Sequence, residues 1–422
     1  MNANKQVIKT MTANFFGMIG SGVLQFGVAL YILRVTGSSL SFAMTMVISP
    51  IVSIVLTPLA GHVVDRFDRK RIIGIVQVVS IFTLLAFAGL FTRVEQILQL
   101  VIPVLIILRI ADMFFSGAYT AAMRGIVLDD QMAQLQSFLG AFSSVAGVLS
   151  PLLGAALYAL LPMSTYILLV ALCELIALLI NLTIDFRFNP AILTETAVAV
   201  SDGVWKSFRE GFAYIRTRID LVMLALTAML VNFLMMAKGV GVPLLLINTF
   251  GMSDAQYGMI QMATSFGLLV VSVIYGILKF EPKRPVVLLY LIGIMMGLWV
   301  AADALPALFG LSTASAYYYF LMLSVVIGGT AALVNIPMMT YMQKQVPEHF
   351  KGRVFTLFST VSMGLTPISI LLYGALYEHF PVSPILLVSG MMLIAVVTII
   401  WLKTPKIYLK PVEASHDVSV ES

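Results

Sequence analysis

The sequence predicts an all-α polytopic membrane protein in which twelve transmembrane helices form two pseudo-symmetric six-helix bundles. Composition, the spacing of long apolar segments and landmarks that recur once in each half support this prediction. Hydrophobic residues make up 60% of the 422 residues and charged residues 11%, and the mean hydropathy is +1.01. Soluble domains are about half apolar and about a quarter charged, so the composition excludes a soluble globule.

The apolar residues fall into segments of about 20 residues or more, the length that a helix needs to cross a bilayer. The twelve predicted spans are 11–34, 40–61, 72–92, 97–123, 134–161, 165–186, 220–248, 255–279, 285–306, 317–343, 353–378 and 384–403. A short polar stretch with Lys5 and Lys9 precedes the first span. We therefore expect a retained span there and not a cleaved signal peptide.

The distribution of Lys and Arg predicts the orientation. With a cytoplasmic N-terminus, 21 basic residues lie on the inner side, only Arg34 and Arg93 lie outside, and Arg109 and Lys238 lie within the membrane. Both termini are therefore expected in the cytoplasm of a bacterial-type cell (plasma) membrane. Anionic lipids of the inner leaflet account for the basic pI of 9.2, so we expect membrane lipids and no nucleic acid as partners.

Several landmarks recur at nearly constant offsets, which indicates duplication of a six-helix unit. The pairs are Ser150-Pro151 with Thr366-Pro367, Gly37 with Gly251, and Gly61 with Gly276, at offsets of 216, 214 and 215 residues. The predicted domains are an N-terminal bundle (1–187), a cytoplasmic linker with an amphipathic helix (188–219), a C-terminal bundle (220–405) and a cytoplasmic tail (406–422).

The linker carries apolar residues at spacings of 3, 4 and 3, namely Trp205, Phe208, Phe212 and Ile215. This spacing predicts an amphipathic helix in the inner membrane interface, with a solvated linker helix as the alternative. The tail is short and polar, and we expect it to be disordered.

The residues needed for metal or phosphate chemistry are sparse. Cys173 is the only cysteine, the four histidines show no ligand spacing, and the chain has no glycine-rich phosphate loop. We expect no metal site, no cofactor and no enzymatic activity.

A dense charge run, Asp65, Arg66, Asp68, Arg69, Lys70 and Arg71, follows Gly61 between two apolar segments. One interpretation is a positive-inside anchor. The alternative is a specific signature, because the run fits the pattern G-x-x-x-D-R-x-[GD]-R-K-R. This pattern resembles the loop between the second and third helices of major facilitator superfamily transporters, and the resemblance extends over nearly the whole chain.

Two further motifs resemble one branch of that superfamily, which includes macrolide-efflux proteins and the enterobactin exporter. These are Gly352-Arg353-Val354-Phe355 and Phe208-Arg209-Glu210-Gly211-Phe212. The resemblance implies a secondary active transporter that works by alternating access, and we expect a functional monomer.

In the family, the signature loop forms a cytoplasmic gate that favours the outward-facing state. The matching residues here are Gly61, Asp65, Arg66, Arg69, Lys70, Arg71 and Arg353. Asp65 and Arg69 lie four residues apart and can pair on one helical turn. Asp65 can also reach the N-terminus of the eleventh helix, which attracts an anion. Asp68 stands where many members have glycine, which leaves the turn geometry open.

Three intramembrane residues are candidates for proton coupling: Asp112, Arg109 and Glu174. A charge at the bilayer centre costs about 2.5–3.5 kcal/mol, so it normally faces a cavity or a partner. Arg109 and Asp112 are three residues apart and can pair, and Arg109 resembles the helix-four arginine that drug/proton antiporters use in proton transfer. A purely structural pair is the alternative. For Glu174, on the peripheral sixth helix, a buried or lipid-edge role is equally open.

In the family, helices one, four, seven and ten line the substrate cavity. The cavity candidates are Gln25, Met113, Tyr119, Asn232, Met235, Met236, Lys238, Asn335 and Met338. Lys238 is predicted to face the cavity and to bind an anionic group or to compensate Asp112, with snorkelling toward the outer interface as the alternative. Asp303 is predicted to be an outer interface residue.

The fifth helix carries Gly147, Ser150, Pro151 and Gly154. This set resembles the glycine–proline motif of exporters in the family, and an ordinary kinked helix is the alternative.

These features predict proton-coupled export of an amphiphilic small molecule, such as a macrolide-like drug. The chain contains 25 methionines, which suit a soft, adaptable binding surface. A permease for a specific metabolite, siderophore or lipid is the alternative, and a non-transporting membrane scaffold is the least favoured.

Overall fold

The computed structural model describes residues 3–91, 97–127, 129–186, 188, 212–278 and 282–405. These residues form helices and connecting turns, and no strand occurs among them. The six helices of the N-terminal half are α1 (Ala3–Thr36), α2 (Ser39–Arg66), α3 (Arg69–Leu90), α4 (Ile97–Ile126), α5 (Asp129–Leu160) and α6 (Met163–Leu182).

The C-terminal half repeats this order with more interruptions. Its helices are α7 (Ile219–Leu244, followed by a π-helical turn Leu245–Thr249), α8 (Asp254–Leu278), α9 (Pro285–Ala302), α10 (Thr313–Gln345), α11 in two pieces (Glu348–Met363 and Thr366–His379) and α12 (Val382–Lys403). A short helix, Leu305–Leu308, follows α9.

Twelve helices in the described part of the chain are long and apolar enough to cross a membrane, which confirms the predicted fold class. Large apolar side chains such as Phe82, Ile277 and Leu402 point outward and are exposed. In a bilayer these side chains contact lipid, so their exposure has no hydrophobic cost.

Helix α1 begins earlier than the predicted span because its first turns bind the end of α6. The Lys9 ammonium donates to the Thr183 carbonyl at 3.1 Å, and the Gln6 amide donates to the Asp185 carbonyl at 3.5 Å. These donors satisfy carbonyls that the end of α6 leaves without helical partners. We call this end of the bundle, where both halves begin and finish, the terminal end, and the opposite end the distal end.

The repeat predicted from Gly37 and Gly251 is visible in the backbone. Gly37 joins α1 to α2 and Gly251 joins α7 to α8, and both adopt a φ of 60°. This left-handed conformation strains residues with a Cβ atom, so the same turn requires glycine in each half.

The signature loop between α2 and α3 is a short turn that ends in a helix cap. The Asp68 carboxylate accepts a hydrogen bond from the Arg71 N–H at 3.0 Å and so caps α3. Asp68 has a φ of −61°, so this turn does not need the glycine found in many relatives.

The two equivalent prolines behave differently. Helix α5 continues through Pro151, whereas α11 is interrupted at Gly364 and Leu365, just before Pro367. A proline has no backbone N–H to donate to the helix. Of these two helices, only α11 is interrupted next to its proline.

Most of the predicted linker, including Trp205 and Phe208, lies outside the described residues, as does the tail 406–422. Residues 212–217 are helical, with Ile215 buried and Phe212 exposed. Only the last part of the predicted amphipathic helix therefore lies in a segment that the structure describes as helical. The domain bounds given above remain predictions.

The linker is joined to the C-terminal half by a polar cluster at the terminal end. The Arg218 guanidinium donates to both Asp220 oxygens, at 3.0 and 2.9 Å, and to the Gln345 side chain at 3.0 Å. The Tyr341 hydroxyl donates to Asp220 at 2.8 Å. The Asp220 carboxylate raises the pKa of Arg218 further above its usual range, which keeps the guanidinium charged.

Candidate substrate-binding cavities

The two halves meet along α2 with α11 and along α5 with α8. Close packing there depends on small residues. A Cβ atom on Gly258 would lie 2.5 Å from the Ala155 Cβ, and one on Gly374 would lie 2.5 Å from the Ala43 Cβ. Side chains at these glycines would force the halves apart.

Charged side chains join the halves at the distal end. Arg34 at the end of α1 forms an ion pair with Asp254 at the start of α8, with 2.7 Å between the atoms, and donates to the Met252 carbonyl at 2.8 Å. On the other side, the Glu378 carboxylate accepts from the Ser39 hydroxyl at 2.9 Å and from the Leu40 N–H at 3.3 Å. An anion at the N-terminus of α2 is favourable because the N–H groups there are free. These contacts form a distal seal.

Below the seal, a cavity of about 980 Å³ lies mainly within the N-terminal half, and we call it the N-cavity. Helices α1 to α6 contribute most of its walls, and the C-terminal half contributes Gly239, Pro243, Tyr257 and Gln261. Phe26 and Tyr257 stack across the halves with 5.2 Å between ring centroids. They therefore close the N-cavity toward the distal seal.

Arg109 and Asp112 both line the N-cavity, but they do not form the predicted ion pair. The Arg109 guanidinium donates to the Ser53 hydroxyl of α2 at 3.0 Å. No ion pair within 4.0 Å joins Arg109 to Asp112, both of which are described, although their charges still interact at longer range. The reason is that the arginine bonds to a neighbouring helix instead of its own.

Glu174 also lines the N-cavity, so α6 is not merely peripheral here. Asp112 of α4 and Gln77 of α3 line the same cavity. The Asn181 amide in turn donates to the Gln77 oxygen at 3.0 Å. Sequence reasoning missed Gln77 and Asn181, because single amides in apolar segments have no recognisable pattern.

A second cavity of about 580 Å³ lies within the C-terminal half, and we call it the C-cavity. It is bounded by α7, α9, α10 and α11. Five methionines and three aromatic residues dominate its lining: Met296, Met338, Met339, Met342, Met363, Tyr290, Phe355 and Phe358. The C-cavity is therefore soft and apolar where the N-cavity is charged.

The predicted cavity residues divide between the two cavities. Gln25 and Tyr119 line the N-cavity, whereas Asn232, Asn335 and Met338 line the C-cavity. Met113, Met235 and Met236 do not line either of these two cavities. Met235 and Met236 instead pack against a buried apolar cluster that both halves form, and Met235 also packs against a cluster within the C-terminal half.

Lys238 differs from its prediction because it has a partner within its own half. Its ammonium lies 2.8 Å from the Asp303 carboxylate at the end of α9. Asp303 is fully buried and is not an interface residue. Since Lys238 is held in this pair, it neither faces the N-cavity nor compensates Asp112.

The α5 motif lies between α1 and α8. A Cβ atom on Gly154 would lie 2.8 Å from the Phe26 ring, and one on Gly22 of α1 would meet the Ser150 hydroxyl at 2.5 Å. The Pro151 carbonyl lies close to Gly258 of α8, and Gly147 faces Ser265. The motif therefore packs α5 against both halves at the wall of the N-cavity.

The signature loop packs against its own half. The Arg69 guanidinium donates to the Ala121 carbonyl of α4 at 2.9 Å. The Lys70 ammonium donates to the Leu182 and Ile184 carbonyls at 3.0 and 2.9 Å. Arg66 and Arg71 are exposed. Gly61 lies in α2. Its surroundings and the side chains of Asp65 and Arg353 lie outside what the structure describes, so the contacts predicted for these residues remain predictions.

Two halves of six membrane-crossing helices each, with one cavity mainly within each half, define a polytopic membrane protein of the transporter class. The chain belongs to the Major Facilitator Superfamily, whose family model matches residues 10–240 and 224–420.

Named relatives agree with this membership. The chain is 23% identical over 384 residues to macrolide efflux protein A of Streptococcus pyogenes, which covers 90% of this chain and 91% of the relative. Its fold is similar to that of a bacterial homologue of the iron transporter ferroportin in an inward-facing state (17% identity, TM-score 0.70, 96% and 99% coverage). It is also similar in fold to a D-xylose-proton symporter (13% identity, TM-score 0.72, coverage of 96% of this chain and 99% of the symporter).

Proposed function

We propose that this protein is a proton-coupled exporter of cationic amphiphilic small molecules, such as macrolide-like drugs, and that it works by alternating access. The observation that carries the proposal is the N-cavity, which contains two carboxylates and one guanidinium within the membrane and is closed by the distal seal. Intramembrane charges are expensive and are kept for substrate or ion pathways.

The two cavities suit the two parts of an amphiphile. Asp112 and Glu174 attract a cationic group in the N-cavity. The methionines and aromatic rings of the C-cavity provide a surface that adapts to a bulky apolar body. Volumes of about 980 and 580 Å³ fall in the range of small-molecule pockets.

The direction of transport is proposed from the relatives and from the α5 motif. Macrolide efflux protein A is an efflux protein by name, and Gly147, Ser150, Pro151 and Gly154 resemble the exporter motif. If both termini are cytoplasmic, the distal seal closes the outer side, and we propose that the N-cavity is reached from the cytoplasm. This is the state in which an exporter loads its substrate.

Accumulation of radiolabelled erythromycin in cells lacking their own macrolide pumps tests the function. Cells expressing the protein should accumulate less drug than control cells, and a protonophore should remove the difference. Equal accumulation in the absence of protonophore contradicts macrolide export. The same assay with a siderophore or a single metabolite tests the specific-permease alternative.

The orientation requires its own test, because charge bias alone supports it. A reporter that is active only in the cytoplasm should be active when it is fused after Lys410. Activity of an exclusively periplasmic reporter at that site contradicts the proposed topology.

A further inference from the structure

We propose that the C-cavity binds the uncharged part of a transported amphiphile, with an apolar body in its depth and a carbonyl or hydroxyl oxygen at its mouth, and that the Asn335 amide holds that oxygen. This inference rests on the proposed export function, because it assigns one part of the amphiphile to one cavity. It deepens that function by naming the chemical group that the C-cavity selects and the side chain that selects it.

The lining of the C-cavity carries no charge. No Asp, Glu, Lys, Arg or His occurs among the described residues that line it. A cation transferred into such a lining loses its water and gains no counter-charge, which is costly. An uncharged group loses far less on the same transfer, provided that its polar atoms find hydrogen-bond partners. The C-cavity therefore favours uncharged ligands, in contrast to the N-cavity.

Side-chain exposure distinguishes the floor of the C-cavity from its mouth. Tyr290 and Met342 are 0% and 3% exposed, so they form the floor. Met339 and Met363 are 51% and 48% exposed, so they lie at the mouth. The floor offers little polarity, because the Tyr290 hydroxyl already shares a hydrogen bond of 2.7 Å with the Thr404 hydroxyl. A ligand should therefore enter with its apolar body first and keep its polar group at the mouth.

Several polar side chains of the lining already have partners within the protein. The Thr227 hydroxyl donates to the Met223 carbonyl at 2.7 Å. The Asn232 amide donates to the Ser362 carbonyl at 3.1 Å, in the last turn before α11 is interrupted. That carbonyl has no partner within its own helix, because it belongs to the helix end. Asn232 therefore holds α11 in place, and its NH₂ group is engaged there.

The Asn335 amide is free to bind a ligand. Asn335 is exposed and lines the C-cavity, and among the described residues no hydrogen bond involves its side chain. It lies three and four residues before Met338 and Met339, on the same face of α10, next to the apolar surface that the body of a ligand contacts. An amide offers two donors and one acceptor, so it can bind a carbonyl or a hydroxyl oxygen. The exposed Ser359 hydroxyl adds a second polar group at this mouth from α11.

The two cavities therefore sort the groups of one ligand by charge. The carboxylates of Asp112 and Glu174 line the N-cavity, and the amide of Asn335 lines the C-cavity. A small molecule that carries only the uncharged part should still bind the C-cavity.

Photolabelling with benzophenone tests this binding on the purified protein in lipid nanodiscs. Benzophenone is uncharged and has two aromatic rings on one carbonyl group, and under ultraviolet light it inserts into neighbouring C–H bonds. Peptide mass spectrometry should find labels on Met338, Met339 and Met342 that saturate as its concentration rises. Labelling of Met322, which is 69% exposed and lines neither cavity, should rise in proportion to concentration. Proportional labelling at all of these methionines overturns the site.

Substitution tests the role of the Asn335 amide. Asn335→Leu should raise the half-saturating benzophenone concentration by about 2- to 10-fold, as expected for the loss of one hydrogen bond. Thr340→Val is the matched control on the same helix, because the Thr340 hydroxyl donates to the Ile336 carbonyl at 2.9 Å and lines neither cavity. It should leave that concentration unchanged. The same half-saturating concentration in wild type and Asn335→Leu overturns the role of the amide.

A charged analogue tests the selectivity for uncharged groups. Para-benzoylbenzyl-trimethylammonium has the same rings and carbonyl group and a permanent positive charge. It should show no saturable labelling of the C-cavity in the wild type, and Asn335→Asp should introduce such labelling by supplying a carboxylate. Equal saturable labelling by both probes in the wild type overturns the selectivity and would indicate that the aromatic rings of the lining bind a cation.

Erythromycin accumulation separates this inference from the proposed function. If cells with and without the protein accumulate erythromycin equally, while benzophenone labelling saturates and depends on Asn335, macrolide export is wrong and the C-cavity site stands. If erythromycin is exported while labelling of the C-cavity stays proportional to concentration, the site is wrong and export stands.

Discussion

Lys238 on α7 and Asp303 at the end of α9 form a buried ion pair, with 2.8 Å between the ammonium nitrogen and the carboxylate oxygen. Lys238 is 17% exposed at its side chain and Asp303 is 1% exposed. The pair lies entirely within the C-terminal half. It therefore holds two helices of one bundle together and does not bridge the two halves.

Breaking this pair on one side should destabilise the protein strongly. Lys238→Met leaves Asp303 as a buried charge without its cation, which costs about 3–5 kcal/mol. The double variant Lys238→Met/Asp303→Leu should recover most of that loss, because no charge remains. Thermal unfolding in detergent measures both, with Lys5→Met as the exposed control. Equal destabilisation in the single and double variants would show that the ion pair is not the cause.

The distal seal should respond to loss of its ion pair. Arg34 and Asp254 are 32% and 23% exposed, and pairs of this kind contribute about 0.2–1 kcal/mol. Arg34→Gln should therefore lower the ratio of sealed to unsealed molecules by up to about five-fold. Spin labels at Val35 and Phe380, in a Cys173→Ser background, report the distal distance. An unchanged distance distribution would exclude Arg34 from the seal.

Close packing of α2 against α11 should matter more than the ion pair. A methyl group added at Gly374 meets the Ala43 methyl carbon at 2.5 Å, whereas one added at Gly74 has no described neighbour within 4 Å. Gly374→Ala should widen the same distal spin-label distance, and Gly74→Ala should not. Two identical distributions would mean that the helices adjust without opening the seal.

The signature loop gives a prediction that rests on the sequence pattern. Asp65→Asn should impair transport while leaving the amount of protein largely unchanged, because Asp65 is proposed to bias a conformational equilibrium by a few kcal/mol. Erythromycin efflux at matched protein levels measures this, with Asp417→Asn in the tail as the control. Efflux equal to wild type would remove Asp65 from the gate.

The sequence predicted those features that depend on local pattern. Apolar length located the spans, and the repeated glycines at Gly37 and Gly251 located equivalent turns. The pairing of charges was not predictable in this way. Lys238 and Asp303 are 65 residues apart, and their contact depends on how α7 packs against α9.

The relation of Arg109 to its neighbours shows the same limit. A spacing of three residues suggested a pair with Asp112, but the packing of α2 against α4 offers the Ser53 hydroxyl at 3.0 Å. Similarly, the packing of α6 turns Glu174 toward the N-cavity. Sequence spacing defines one helical face and does not reveal what the neighbouring helix presents to it.

The most direct test of proton-coupled export measures both movements in one preparation. Proteoliposomes with an acidic lumen should accumulate erythromycin above its external concentration while protons leave the lumen, and collapse of the pH gradient should release the drug. Erythromycin that only equilibrates across the membrane, with proton efflux unchanged by its addition, would contradict the account.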